Sequence, residues 1–356
     1  MNDFIRFNRM LAAWILCIAC CCSAFSDDLP WSVAGPHDVG TITGIQLQNM
    51  NSGRTMEVLV RYPKGPGPYP LVIFSHGALS NEQAFGAASE HWASHGYIVI
   101  HPKHADARES DRSRGFDGGQ SAVSTTSRKP LIRRGGGVGL GAFGGANSGQ
   151  GRIERIRDVT HILDALDQLE AQISPLKGKL KVDAIAVAGH SLGAYVAQCH
   201  GGVKTLVDGR LADLSDSRVK CVVPISAQGE SQSYGLTADS WMEALTPAMH
   251  ITGTRDRSAP DRPGGPMGDV KNKVMPFERS PAGGKYLLTI EGATHVSFGG
   301  RLGNIRGRVN AGDLTKVVSL VFLEAWLRDD ADARAWLDGE ASVDWLNSRA
   351  QLKRKL

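Results

Sequence analysis

Three apolar runs constrain this chain most: Leu71-Val72-Ile73-Phe74, Tyr97-Ile98-Val99-Ile100 and Ala184-Ile185-Ala186-Val187. They are continuous rather than alternating and rich in β-branched residues, so each strand must be covered on both faces. Strand-like runs occur at 43–49, 55–62, 69–75, 97–101, 182–188, 219–226, 248–253 and 285–290, about eight in all. Helical patterns lie between them. Across 152–169, Ile153, Ile156, Val159, Leu163, Leu166 and Leu169 keep 3–4 spacing, with Arg152, Arg155 and Asp158 expected to face away. Leu314, Val318, Val321 and Ala325 make a second such stripe. Strands alternating with helices predict an α/β fold with a mostly parallel central sheet flanked by helices.

The N-terminus reads differently. Arg6 and Arg9 precede an unbroken apolar run of 13 residues, Met10 to Cys22, and Ala24-Phe25-Ser26 offers small residues at a cleavage site. Residues 1–26 therefore read as a secretory signal. The run falls short of the roughly 20 apolar residues that a spanning helix needs. A lipoprotein or an uncleaved anchor stays open, although Cys17 stands where a lipobox usually has Leu. The chain is expected to be exported, periplasmic or extracellular. Of its six cysteines, Cys17, Cys20, Cys21 and Cys22 fall in the signal. Cys199 and Cys221 remain, either bridged or as two buried small hydrophobes.

From about 27 to 356 no internal repeat or linker appears, so a single domain is expected. The 42% hydrophobic content is enough for a sizeable core. A slightly negative mean hydropathy excludes a polytopic membrane protein. The net charge of +4 carries no polybasic footprint for nucleic acid. The largest irregular region is a Gly/Arg-rich insertion at about 105–150, with nine glycines in the 17 residues 135–151. Its Arg and Lys residues make contact with a membrane surface or an anionic substrate conceivable, and a solvated loop the simpler expectation. Within it, Gly139-Leu-Gly141-Ala-Phe-Gly144 matches G-x-G-x-x-G, but no strand leads in and no helix starts directly after it, so no dinucleotide site is expected.

Gly189-His190-Ser191-Leu192-Gly193 carries the chemistry. A strand-like run leads into it and a helical stretch, LGAYVAQC, follows. A serine on a sharp strand-to-helix turn needs small neighbours, because its backbone is strained and adjacent strands lie close. Such a turn exposes Oγ and sets the Leu192 N–H at a helix N-terminus, where an oxyanion can bind. The serine needs a base, and the base an orienting acid. Where such a serine sits on an α/β sheet, the acid and then the histidine follow it along the chain. Beyond Ser191 lie only His200, His250 and His295. His200 is on the following helix and His250 inside a strand, which leaves His295 as the base. Asp256, just past the strand Met249–Gly253, is the expected acid, with Asp261 its rival. The second oxyanion donor is expected from Ala78, after Ser75-His76-Gly77, with His76 in a structural role. Trp241 and 226–233 are candidates for pocket walls.

His91, His95, His101 and His104 fall within 14 residues, and His91 and His95 have the i, i+4 spacing of a metal-ligand pair. No Glu stands between the i, i+4 pair as in H-E-x-x-H, so these read as exposed helix-end and loop residues. No metal and no organic cofactor are expected.

FSHG at 74–77, ASHGYIVIHPKH at 93–104, GHSLGAYVAQ at 189–198, ITGTRD at 251–256 and EGATH at 291–295 resemble the α/β-hydrolase superfamily. Within it, the chain is similar to secreted dienelactone-hydrolase-like, chlorophyllase-like and platelet-activating-factor-acetylhydrolase-like esterases, the neighbourhood that includes cutinase-like polyester hydrolases. The resemblance spans about 43–330. It implies a serine esterase with Ser191, Asp256 and His295 as triad, Ala78 and Leu192 as oxyanion donors, and a small-molecule or lipid-like ester as substrate. A peptidase or other acyl hydrolase with the same triad is the alternative, as is a binding protein on an idle hydrolase scaffold. The insertion at 105–150 departs from the pattern.

Overall fold

The computed structural model describes residues 29–48, 55–108, 145, 148–257, 268–300 and 310–356. The signal-like segment 1–26, most of the glycine-rich insertion and Asp261 lie outside them. Contacts group Met1–Val33 and Ala34–Leu356 as separate units. The described part of the first holds one 3-10 turn, Pro30–Ser32.

The second unit is built on a nine-stranded sheet. Its strands are β1 (Val39–Gln48), β2 (Thr55–Pro63), β3 (Tyr69–Ser75), β4 (Ile98–Pro102), β5 (Leu180–His190), β8 (Val219–Ile225), β9 (Ala248–Gly253), β10 (Lys285–Ile290) and β11 (Ala350–Lys355). A separate hairpin pairs β6 (Thr205–Val207) with β7 (Arg210–Ala212). The order across the sheet is β1-β2-β4-β3-β5-β8-β9-β10-β11. From β4 to β10 every neighbour is parallel, and the edge pairings are antiparallel.

The ninth strand, β11, escaped the sequence pattern. Only Ala350 and Leu352 alternate inward, and the rest of AQLKRK is polar or charged. Lysine and arginine on an edge strand discourage pairing with other chains, and they also erase the hydrophobic signal of a strand.

Among the described residues eight α-helices flank the sheet: α1 (Gly86–Ser94), α2 (Gly149–Asp164), α3 (Leu166–Gln172), α4 (Leu192–His200), α5 (Lys271–Arg279), α6 (Ala311–Leu327), α7 (Ala331–Asp338) and α8 (Glu340–Leu346). Side chains start three of them. Ser148, Asn310 and Asp330 each accept a hydrogen bond from a backbone N–H of the first turn. Helix α2 packs on α4, and α1 packs on α6. Cover is complete enough that every residue of β3 and β4 is buried. Each fully buried Leu, Ile or Val there stabilises the fold by roughly 1.5–3 kcal/mol.

The apolar stripe of 152–169 is real but broken at Ala165 into α2 and α3. Its opposite face corrects the sequence expectation, because Arg152, Arg155 and Asp158 are all buried. Arg152 lies over the rings of Tyr195 and Tyr234. Arg155 and Asp158 find ionic partners beneath the site.

Parallel register explains where the chemistry gathers. Ser75 pairs with Gly189, His190 with Ile225, Ile225 with Ile251, and Gly253 with Ile290. Five adjacent strands, β3, β5, β8, β9 and β10, thus end level with one another. The loops beyond their carboxyl ends converge, as they do in open α/β sheets.

Candidate active site

Ser191 follows directly on β5 and precedes the first residue of α4, with φ 55° and ψ −116°. A non-glycine residue in that region is strained, at a cost of about 1–3 kcal/mol. The surroundings hold it there. Its N–H donates to the Ile225 carbonyl at 3.0 Å, and its carbonyl accepts from the amides of Ala194 and Tyr195.

His295, five residues past β10, places Nε2 3.0 Å from Ser191 Oγ. Its Nδ1 lies 3.2 Å from Asp256 Oδ1. A carboxylate only accepts, so Nδ1 carries the proton and Nε2 is left to accept from the serine hydroxyl. Asp256, three residues past β9, is fully buried. Thr252 Oγ1 donates to its Oδ2 at 2.9 Å, and Ser226 Oγ to its Oδ1 at 2.9 Å. Burial alone would push its carboxyl up. The bonds from His295 and Ser226 and the charge of Lys273 outweigh burial and hold it below the ordinary aspartate value. The imidazole is steadied from behind as well, since His190 Nε2 donates to the His295 carbonyl at 2.8 Å. Burial, then the neighbouring His295, pushes His190 down to about 3, so it stays neutral.

The loop after β3 runs beside the serine. A Cβ built on Gly77 would lie 3.5 Å from Ser191 Cβ, which brings Ala78 next to the elbow. Two buried networks fix this loop. Arg155 donates to the His76 and Gly77 carbonyls, at 2.5 and 3.3 Å, and to both carboxylate oxygens of Asp106 at 2.7 and 2.8 Å. Asp106 Oδ2 in turn accepts from the Leu79 amide at 3.0 Å. Burial opposes ionisation of Asp106, but Arg155 overcomes it and holds the carboxyl at about 2. Beneath, His104 Nδ1 donates to Asp158 Oδ2 at 2.8 Å, and its Nε2 lies 2.8 Å from Ser75 Oγ. Ser75 is fully buried, so this second Ser-His-Asp set braces the end of β3 and meets no substrate.

Residues 33–123 match the chlorophyllase family model. The platelet-activating factor acetylhydrolase of Cavia porcellus is 24% identical over 75% of this chain and 60% of its own length. That of Bos taurus is 28% identical over 57% of this chain and 41% of its own length, and that of Canis lupus familiaris 25% over 75% and 59%. The chain thus spans about half of the curated relatives it matches. The sheet order, the elbow and these similarities agree. The chain has the α/β-hydrolase fold.

Several other expectations for this α/β-hydrolase fold change with the structure. Trp241 is no pocket wall. It is fully buried and donates Nε1–H to Gln198 Oε1 at 3.0 Å. Ser226, which opens the other wall candidate, lies instead between Asp256 and His295. Cys199 and Cys221 are unbridged buried thiols. Burial pushes Cys199 up to about 12 and Cys221 up as well. Of the four clustered histidines, His91 and His95 do lie at the end of α1, but His91, His101 and His104 are buried rather than exposed, and His95 is half-buried. The His91 and His95 rings meet at a tilt, His101 contacts Ser89 Oγ at 2.9 Å, and His104 serves the network under β3. His76 is buried and donates Nδ1–H to the Gly77 carbonyl at 2.7 Å, as a loop-shaping residue would.

Proposed function

We propose that this chain is an exported serine hydrolase that cleaves carboxylic esters through an acyl-enzyme. The observation that carries this reading is the line from Ser191 Oγ to His295 Nε2 at 3.0 Å and from Nδ1 to Asp256 Oδ1 at 3.2 Å, at a strained elbow. His295 takes the Ser191 proton as Oγ attacks the ester carbonyl. Asp256 holds the Nδ1–H tautomer and stabilises the imidazolium. The N–H groups of Ala78 and Leu192 receive the oxyanion. His295 returns its proton to the departing alcohol, which leaves an acyl-Ser191. A water molecule then gives a proton to His295 and attacks the acyl carbon, and as the acyl–Oγ bond breaks His295 returns that proton to Ser191 and the acid is released.

The similarity to platelet-activating factor acetylhydrolases directs attention to short acyl esters of small or lipid-like alcohols. Export rests on the apolar run Met10–Cys22. The test compares wild type with Ser191→Ala on p-nitrophenyl acetate and on phospholipids with graded sn-2 acyl chains, beside fluorophosphonate labelling. The expected outcome is labelling at Ser191 and a loss of turnover of about 10⁴-fold or more in the variant. Full turnover in Ser191→Ala, or a wild-type Ser191 inert to the label, overturns the proposal.

A further inference from the structure

Ser226 follows β8 with φ 54°, in the left-handed region that non-glycine residues avoid. It is fully buried, and every polar group it owns is engaged. Its N–H donates to the Ile251 carbonyl at 2.7 Å, and its carbonyl accepts from Lys273 Nζ at 2.9 Å. Its hydroxyl donates to Asp256 Oδ1 at 2.9 Å. That leaves the oxygen lone pairs to face His295 Nδ1, only 2.8 Å away. The direct contact from Nδ1 to Asp256 is longer, 3.2 Å. The imidazole proton is therefore shared between a hydroxyl and a carboxylate, and the hydroxyl is the nearer acceptor.

Lys273 makes the arrangement rigid. It projects from α5 and is 2% exposed, an unusual burial for an ammonium group. A buried cation persists when an opposite charge and an acceptor face it. Here Asp256 supplies the charge and the Ser226 carbonyl the acceptor. The charged or titratable groups that meet around the hydroxyl are Asp256, His295, His190 and Lys273.

We propose that Ser226, pinned by Lys273, is a positioning residue that shares with Asp256 the task of orienting His295. The proposal rests on the reading of Ser191 as nucleophile and His295 as base. The hydroxyl keeps Nδ1 protonated, so that Nε2 faces Ser191. It also spreads the carboxylate charge toward the ring. The charge of Lys273 favours the ionised form of Asp256.

The test uses Ser226→Ala, Ser226→Gly and Lys273→Met in the full chain. Glycine accepts a positive φ without strain, so it removes the hydroxyl while relieving the backbone. Both Ser226 variants are expected to lower kcat on an aryl ester about 10- to 100-fold, with KM within about twofold. In Lys273→Met the acidic limb of the kcat/KM profile is expected to move up, because the cation that favours the ionised Asp256 is gone. A merely structural serine would lower stability and leave kcat and the environment of His295 Nδ1–H in place. If Ser226→Ala fails to fold, Ser226→Gly decides. Wild-type kcat in Ser226→Gly overturns the proposal, and an unmoved limb in Lys273→Met overturns the part assigned to Lys273. A second readout needs no substrate: the downfield proton resonance of His295 Nδ1–H is expected to shift in Ser226→Gly. An unchanged resonance overturns positioning by Ser226, whereas failure of wild-type Ser191 to take a fluorophosphonate strikes the esterase reading alone.

Discussion

A Cβ placed on Gly193 would sit 1.9 Å from the carbonyl oxygen of Ser75, so α4 meets the end of β3 backbone to backbone. The neighbouring glycine is equally confined, since a Cβ on Gly189 would lie 2.3 Å from the Gly193 carbonyl oxygen. Neither obstacle is a side chain that can swing aside. Gly193→Ala and Gly189→Ala are each expected to cost more than about 3 kcal/mol, beyond ordinary overpacking. Gly77→Ala is the control, because its nearest obstacle is the His190 ring at 3.3 Å. That variant is expected to fold, with most of its loss in kcat. Urea unfolding of the three variants checks the ranking, and a stable Gly193→Ala would refute it.

The Arg155–Asp106 pair locks the loop that carries Ala78 by joining the His76 and Gly77 carbonyls to the Leu79 amide. Arg155→Met leaves those carbonyls and a largely buried carboxylate without their cation. Breaking such a pair from one side costs about 3–5 kcal/mol. The loop should also lose its set, so kcat is expected to fall at least tenfold while fluorophosphonate still reaches Ser191. Arg155→Lys restores charge without the fork and should recover only part of the rate. A kcat within twofold of wild type in Arg155→Met would remove the clamp from the account.

Most of the architecture was legible because it follows from local pattern. Continuous apolar runs named the parallel strands, and G-x-S-x-G between a strand and a helix named the elbow. Chain order then picked out His295 and Asp256. Partnerships between distant residues left no such trace. Arg155 and Asp158 looked like a solvated helix face because their partners, Asp106 and His104, lie 49 and 54 positions away. Ser226 resembled any serine after a strand, and only the level ending of β8 and β9 brings it to Asp256. Lys273 gave no signal either, since a buried lysine and a surface lysine are the same letter.

Cys199 and Cys221 are fully buried, and burial raises both thiols above the ordinary range. A protonated, inaccessible thiol is a poor nucleophile. In the native protein neither is expected to react with Ellman's reagent over hours, and both should react once denaturant is added. A reducing agent should leave Tm unchanged. A reductant-sensitive Tm, or a disulfide-linked peptide joining these two residues, would contradict free thiols.

Acid should unfold this protein well before its carboxylates titrate. Burial holds His250 at about 3 and His200 at about 4, and His76 and His101 well below their ordinary value. In the unfolded chain each regains a value of about 6.5. Below that pH the unfolded state binds protons that the native state refuses, so stability present above about pH 6.5 is lost as pH falls toward 4. With His190, likewise held at about 3, five such groups make the slope up to about 7 kcal/mol per pH unit. The Asp106 contribution lies in a lower window: its folded value near 2 keeps it favourable until pH falls below about 4. His250 allows a clean measurement. It sits mid-strand in β9, and neither ring nitrogen has a hydrogen-bond partner among the described residues. His250→Met is expected to reduce the slope by about one proton, or roughly 1.4 kcal/mol per pH unit, without changing the rate at pH 8. Urea midpoints of wild type and His250→Met from pH 7 to pH 5 give both slopes, and parallel lines would show that His250 already carries its proton in the fold.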